Sequence, residues 1–229
     1  DMPLMFDPGE RWEYGIGIDF AGLAVEAVTG QTLAAYLQEH LFAPLGMAET
    51  GFGPRPSQTD RLAAVHARTP DGVVPIEFGL PPEPEFHMGG GGLYSTVGDY
   101  LRFCRMVLGR GTLEGTQVLQ PTTVELMSGN AMGAIDMARM VTCIPDYTHD
   151  VDLFPEMAKK WGLTFMINTK DTASGRRAGS LAWAGLANSY YWIDPTSGLA
   201  GVLATQLFPF ADPTVLALLD RFETAVYAS

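Results

Sequence analysis

The chain has 229 residues, 47% of them hydrophobic, enough to bury a sizeable core in one or two domains. Its formal net charge of −12 argues against nucleic acid as a partner, because phosphates demand a basic surface. No apolar run approaches the roughly 18–20 residues that a bilayer-spanning helix needs, so no membrane partner is expected.

From Ile18 the apolar positions Ala21, Val25 and Val28 recur at helical spacing, and Gly30 suits the C-terminal stop. Thr32 reads as the cap of a second helix carrying Leu33, Tyr36, Leu37 and Leu41, ended by Pro44. Asp71-Gly72 between two β-prone pairs is a hairpin signal. Residues 78–92 form a proline- and glycine-rich loop that closes in Gly89-Gly90-Gly91-Gly92. Thr96 followed by Asp99 resembles a capping box, and Tyr100, Leu101, Cys104, Val107 and Leu108 then make one helical face up to Gly109. Pro121 suits the first turn of another helix. Residues 130–160 lack a clear period and are expected to form an insertion or lid.

The last third changes character. The runs Gly162–Ile167, Ser180–Trp183, Ser189–Ile193 and Gly201–Leu207 read as an antiparallel meander, and Asp212-Pro213 starts a terminal helix with Val215, Leu219, Phe222 and Val226 on one face. A helical region followed by consecutive strands and one covering helix is an α+β arrangement. Residues 1–160 are assigned to the mainly helical and loop region, and 161–229 to the sheet and terminal helix of the same catalytic domain.

Several candidate groups carry little chemistry. The two cysteines make no framework, and Cys104 on a helical stripe reads as a reduced, buried thiol. His40 and His66 are placed on helix or loop surfaces. Asp146, His149, Asp150 and Asp152 match no calcium loop and read as a solvated acidic segment, so no metal is assigned. The four-glycine run lacks a following Gly-Lys-Ser and reads as a flexible wall of a cleft rather than a phosphate cradle.

Two short motifs carry more. Pro8-Gly9-Glu10-Arg11-Trp12-Glu13-Tyr14 sets a tyrosine between a turn and a helix, and Gly179-Ser180-Leu181-Ala182-Trp183-Ala184-Gly185 ends a strand. They are joined, in order, by Val28-Thr29-Gly30, Pro44-Leu45-Gly46-Met47, Gly91-Gly92-Leu93-Tyr94-Ser95-Thr96, Trp161-Gly162-Leu163 and Tyr191-Trp192-Ile193-Asp194-Pro195. This ordered series, over nearly the whole chain, resembles the serine β-lactamase and penicillin-binding-protein superfamily in its class C-like esterase branch. It is similar to family VIII carboxylesterases and to a fungal acyltransferase of the same fold. The resemblance implies the β-lactamase-like fold and an acyl-serine intermediate, with no cofactor.

The superfamily's Ser-x-x-Lys, which supplies the nucleophile and its base, is absent: the lysines Lys159, Lys160 and Lys170 follow Glu156, Met157 and Ile167 by three positions. No Gly-x-Ser-x-Gly elbow replaces it. Asp1 is read as an unnatural start, and an N-terminal segment bearing the serine is expected upstream as the chain's partner. No compartment is assigned, the cytoplasm being slightly favoured.

By the resemblance, Tyr14 is the acid–base group. A phenol is a poor base in water, but an adjacent ammonium favours its phenolate, which can relay a proton to the leaving alkoxide. The backbone N–H of Leu186 would supply half of the oxyanion hole. Trp183-Ala184-Gly185 stands where the lactamases have Lys-Thr-Gly, and Ile16 where class C enzymes have Asn. Trp183, Gly185 and Ile16 are therefore read as substrate-binding groups that favour neutral, hydrophobic small-molecule esters over anionic β-lactams. Hydrolysis and transfer to an alcohol use the same residues, and a non-catalytic binding module is the remaining alternative.

Overall fold

The computed structural model describes residues 3–81 and 84–229. The reading of Asp1 as an unnatural start, and the part of the 78–92 loop at Pro82 and Glu83, lie outside the described residues. In chain order the elements are α1 (Gly17–Thr29), α2 (Leu33–Leu37), α3 (Ala43–Leu45), β1 (Gly51–Phe52), β2 (His66–Thr69), β3 (Gly72–Pro75), β4 (Leu93–Tyr94), α4 (Val97–Leu108), β5 (Thr112–Leu113), β6 (Thr116–Gln117) and α5 (Pro121–Ser128). Then come β7 (Lys159–Trp161), β8 (Met166–Asn168), β9 (Leu181–Gly185), β10 (Ser189–Asp194), β11 (Leu199–Leu203), β12 (Leu207–Phe208) and α6 (Pro213–Tyr227).

The helix caps follow the side-chain chemistry. Thr32 Oγ1 accepts the Ala35 N–H at 3.2 Å, and Asp212 caps α6 by accepting from Thr214 and Val215, both at 3.0 Å. At α4 only half of the expected box forms. Thr96 Oγ1 accepts the Asp99 N–H at 3.2 Å, but the Asp99 carboxylate turns to the Glu49 N–H at 2.7 Å and the Thr50 hydroxyl at 2.9 Å. Long-range partners outcompete the local one. Pro44 does not end the second helix either. A π-helical turn over Gln38–Phe42 widens the backbone ahead of it, so the helical path runs on through α3 to Gly46.

The five strands from β7 to β11 form one antiparallel sheet in the order β11-β10-β9-β8-β7, each pairing with its sequence neighbour. Alternation along the pleat sends Leu181 and Ile193 into one buried cluster, and Ala182 and Trp192 into the other. The first cluster is completed by Cys104, Met106 and Val107 of α4, the second by Val215 and Leu219 of α6. The sheet is thus sandwiched between α4 and α6. Gly201 lies opposite Trp192, where a Cβ would fall 2.1 Å from the indole, so only glycine leaves room for that ring.

Three sequence expectations need correction. Of the run Gly162–Ile167 only Met166 and Ile167 are strand, in β8: the Gly162 N–H bonds to the Phe165 carbonyl at 2.8 Å, making the turn between β7 and β8. The run Gly201–Leu207 divides, because β12 leaves the meander and pairs in parallel with β2. Residues 130–158 are no free lid. Met137, Val151 and Met157 are buried, and Lys159 Nζ, itself buried, donates to Asp152 at 2.7 Å and to the Phe154 carbonyl at 3.2 Å. The segment is a strap fastened to the sheet.

Candidate active site

Tyr14 lies in an irregular stretch three residues ahead of α1, beyond a turn in which the Glu10 N–H bonds to the Asp7 carbonyl at 3.1 Å. Its ring packs on Trp183 of β9, with centroids 5.2 Å apart, and its Oη accepts the Trp183 Nε1–H at 3.1 Å. Trp161 and Trp12 complete the wall: their rings lie 6.2 and 6.3 Å from that of Tyr14, and Trp161 meets Trp183 edge-on at 4.6 Å. Tyr14 is 51% exposed among the described residues, and its hydroxyl is oriented by one indole donor.

A second lock holds the start of α1. The Gly90 N–H donates to Asp19 Oδ1 at 2.9 Å, and a Cβ on Gly89 would come within 2.2 Å of the Ile18 carbonyl oxygen. The glycine run is therefore a spacer against α1 rather than a phosphate cradle, since close backbone approach forbids any side chain at Gly89.

On the sheet side, Gly185 ends β9 in register with Ser189, and Leu186 follows in the turn to β10, 49% exposed. The Leu186 N–H takes no part in the hydrogen bonds among the described residues, leaving a donor at the mouth of the turn. Ile16, also exposed, is the N-cap of α1 and contributes no capping side chain.

Behind the wall sit groups to which the sequence assigned no role at the site. Tyr191 is directly across from Trp183 on β10, with the Tyr100 ring of α4 at 5.0 Å. Burial, then the neighbouring Tyr100, Cys104 and Tyr14, push the Tyr191 phenol well above its usual range, so it stays neutral at ordinary pH. Burial likewise pushes the free Cys104 thiol up to about 12. Trp161 and Trp12 had a signal, since both fall inside the motif series; Tyr100 and Asn188 had none beyond helical period and a turn position.

The weaker sequence candidates lie elsewhere. His66 is in β2 rather than on a helix or loop, its ring nitrogen 3.0 Å from the Ala64 carbonyl, and His40 stacks on Tyr36 at 4.4 Å. Asp150 is occupied by Arg139 and the Thr142 N–H, each at 2.8 Å, and Asp152 by Lys159. Among the described residues no group of three histidine, cysteine or acidic side chains is placed to hold a metal, and no helix is long and apolar enough to cross a membrane.

Comparison with known proteins bears on this geometry. Residues 1–225 match the family described as Beta-lactamase. The chain is 33% identical over 236 residues to monacolin J acid methylbutanoyltransferase of Aspergillus terreus, aligning 99% of its length with 56% of that protein. It is 29% identical over 236 residues to lovastatin esterase of Penicillium rubens, covering 98% of this chain and 58% of that one. Unliganded simvastatin synthase from Aspergillus terreus superimposes with a TM-score of 0.82 at 30% identity, over 99% of this chain and 57% of that chain. The chain therefore spans about half the length of the curated relatives it matches, of which the two named here are an acyltransferase and an esterase.

Proposed function

The chain belongs to the Beta-lactamase family, and on that footing we propose that it is the tyrosine-bearing part of a serine carboxylesterase acting on neutral, hydrophobic esters, its nucleophile lying upstream. The observation that carries this reading is the 3.1 Å hydrogen bond from Trp183 Nε1 to Tyr14 Oη, which joins two motifs 169 residues apart. A chance pair of surface aromatics has no reason to align a donor with the one oxygen the chemistry needs.

In this reading the serine Oγ attacks the ester carbonyl, and the C–O bond to the alcohol breaks as the acyl-serine forms. The proton leaving the serine passes through the lysine and Tyr14 to the departing alkoxide. Negative charge on the carbonyl oxygen is met by the Leu186 N–H and by the serine's own N–H. Water then reverses the sequence and releases the acid. Trp183 binds the substrate through its ring face while its N–H fixes the Tyr14 oxygen, and Trp161 extends that apolar surface. Ile16 and Gly185 border the opening, one apolar and one without a side chain.

Acyl transfer to an alcohol is the second reading, favoured by the likeness to a methylbutanoyltransferase. Mass spectrometry of the full-length protein during turnover of a p-nitrophenyl ester tests both. The proposal requires an acyl adduct on a serine outside residues 1–229, and faster turnover of the ester than of benzylpenicillin. An added alcohol that raises product release and appears as a new ester would select transfer. The absence of any adduct, or preferential penicillin turnover, would contradict the esterase.

A further inference from the structure

Asn188 occupies the last position of the β9–β10 turn, two residues after Leu186, and is 0% exposed. Its backbone is left-handed, with φ of 60°, a conformation that asparagine tolerates better than most residues. Its N–H closes the turn onto the Gly185 carbonyl at 3.0 Å. All of its side-chain valences are used. Nδ2 donates to the Leu207 and Pro209 carbonyls, both at 2.7 Å, while Oδ1 accepts the Tyr190 hydroxyl at 2.9 Å and the Asp212 N–H at 3.0 Å. Two carbonyls on one side and two donors on the other leave the amide a single orientation.

Thr205 fastens the same turn from outside the sheet. Its hydroxyl donates to the Ala187 carbonyl at 2.9 Å and the Asn188 carbonyl at 2.8 Å, and the Leu207 N–H reaches the Ala187 carbonyl at 3.1 Å. A three-residue hairpin turn in water needs none of this. Six bonds to residues 205–212 are spent on a loop whose tip is exposed, while the Leu186 N–H, like that of Ala187, has no hydrogen-bond partner among the described residues.

We infer that Asn188, with Thr205, is the positioning residue that holds the Leu186 N–H where charge develops on the acyl carbonyl. This rests on the esterase or acyltransferase reading above. Neither side chain touches substrate. Their work is to deny the turn the small rotations that would swing the N–H away, which matters because a misplacement of about 1 Å can cost on the order of 100-fold in rate.

The test uses the full-length protein. Asn188→Gly keeps the left-handed backbone and removes the four side-chain bonds; Thr205→Val removes only the hydroxyl and is the milder variant should the first fail to fold. The expected result is a fall in kcat of about 10- to 100-fold with KM changed less than about threefold. The affinity for an alkyl boronic acid, whose tetrahedral adduct places an oxygen in the same hole, should weaken by a comparable factor. Thr205→Ser, which retains the hydroxyl, should recover most of the loss. A folded Thr205→Val with kcat and boronate affinity within about threefold of wild type overturns the inference, as does a kcat loss without weaker boronate binding. If the wild type forms no acyl adduct, or Tyr14→Phe leaves turnover intact, the catalytic reading itself falls and the inference with it.

Discussion

The two walls of the site are built in opposite ways. The β9–β10 turn is tied by a saturated network around a fully buried asparagine, on a sheet clamped between two helices. The Tyr14 segment has no regular structure and is 51% exposed; it is held by one indole hydrogen bond, ring packing and the glycine spacer against α1. A donor for a developing oxyanion gains from immobility, whereas a group that shuttles a proton must reach several partners in turn. The contrast predicts that damage to the sheet wall costs stability along with rate, and that damage to the Tyr14 wall costs rate with little stability.

The sharpest break on the sheet side is beneath it. Arg176 and Glu223, each 2% exposed, form a bidentate ion pair that ties the loop before β9 to α6, with Ser174 donating to Glu223 at 2.8 Å. The guanidinium also lies over the Trp192 and Phe154 rings at 5.5 and 5.2 Å, while its Nη1 finds no hydrogen-bond partner among the described residues. Removing one partner leaves a buried charge, so Glu223→Ala should cost about 3–5 kcal/mol in urea unfolding of the full-length protein. A cost below about 1 kcal/mol would show that α6 does not brace the sheet.

Gly89→Ala acts on the other wall. The new Cβ meets the Ile18 carbonyl at 2.2 Å, so either α1 or the loop must move. Overpacking of this kind costs about 1–3 kcal/mol, and the Tyr14 account adds a loss of esterase rate larger than any loss of folded protein. Unchanged turnover by the folded variant would mean that the start of α1 does not set the tyrosine.

The smallest expected effect lies on the sheet side at Asp212, which caps α6, donates its N–H to Asn188 and meets Arg68 of β2. Burial alone would raise its pKa, but the Arg68 guanidinium and the Val215 and Thr214 N–H groups hold it below the usual carboxylate value. The folded value lies below the unfolded one, so this stability is present at neutral pH and is lost as pH falls through the folded pKa. Thermal midpoints should therefore fall steeply below about pH 4, and less steeply in Asp212→Asn. The substitution should cost about 2 kcal/mol at neutral pH through the lost charge facing Arg68, since asparagine caps a helix about as well as aspartate. Equal pH slopes in the two proteins would remove Asp212 from the acid response.

Much of this architecture was legible because it is local. Period and caps marked α1, α4 and α6, and turn residues marked the β2–β3 hairpin and the strands flanking Asn188. The strand read at 162–167 started four residues too early because the strand before it, β7, opens with two lysines and does not look like one. Lys159 is neutralised by Asp152, and Lys160 donates to the Gly133 and Ile135 carbonyls at 2.9 and 2.7 Å, contacts invisible to any window of sequence. Pro44 failed as a stop because a π turn absorbed it. At the site, Tyr14, Trp183 and Leu186 came from motif resemblance, and their juxtaposition from the fold. Asn188 could not be read at all: an asparagine in a hairpin turn is commonplace, and only its four partners distinguish it.

Replacement of Tyr14 by phenylalanine tests the central claim most directly. The substitution deletes one oxygen and its bond from Trp183, so the full-length protein should lose no more than about 1–2 kcal/mol in stability and its thermal midpoint should change little. The specificity constant on a p-nitrophenyl ester should fall by about 10²–10⁴, because the proton path between nucleophile and leaving group is cut. A folded Tyr14→Phe protein that keeps more than about half of the wild-type value would place the tyrosine outside the mechanism.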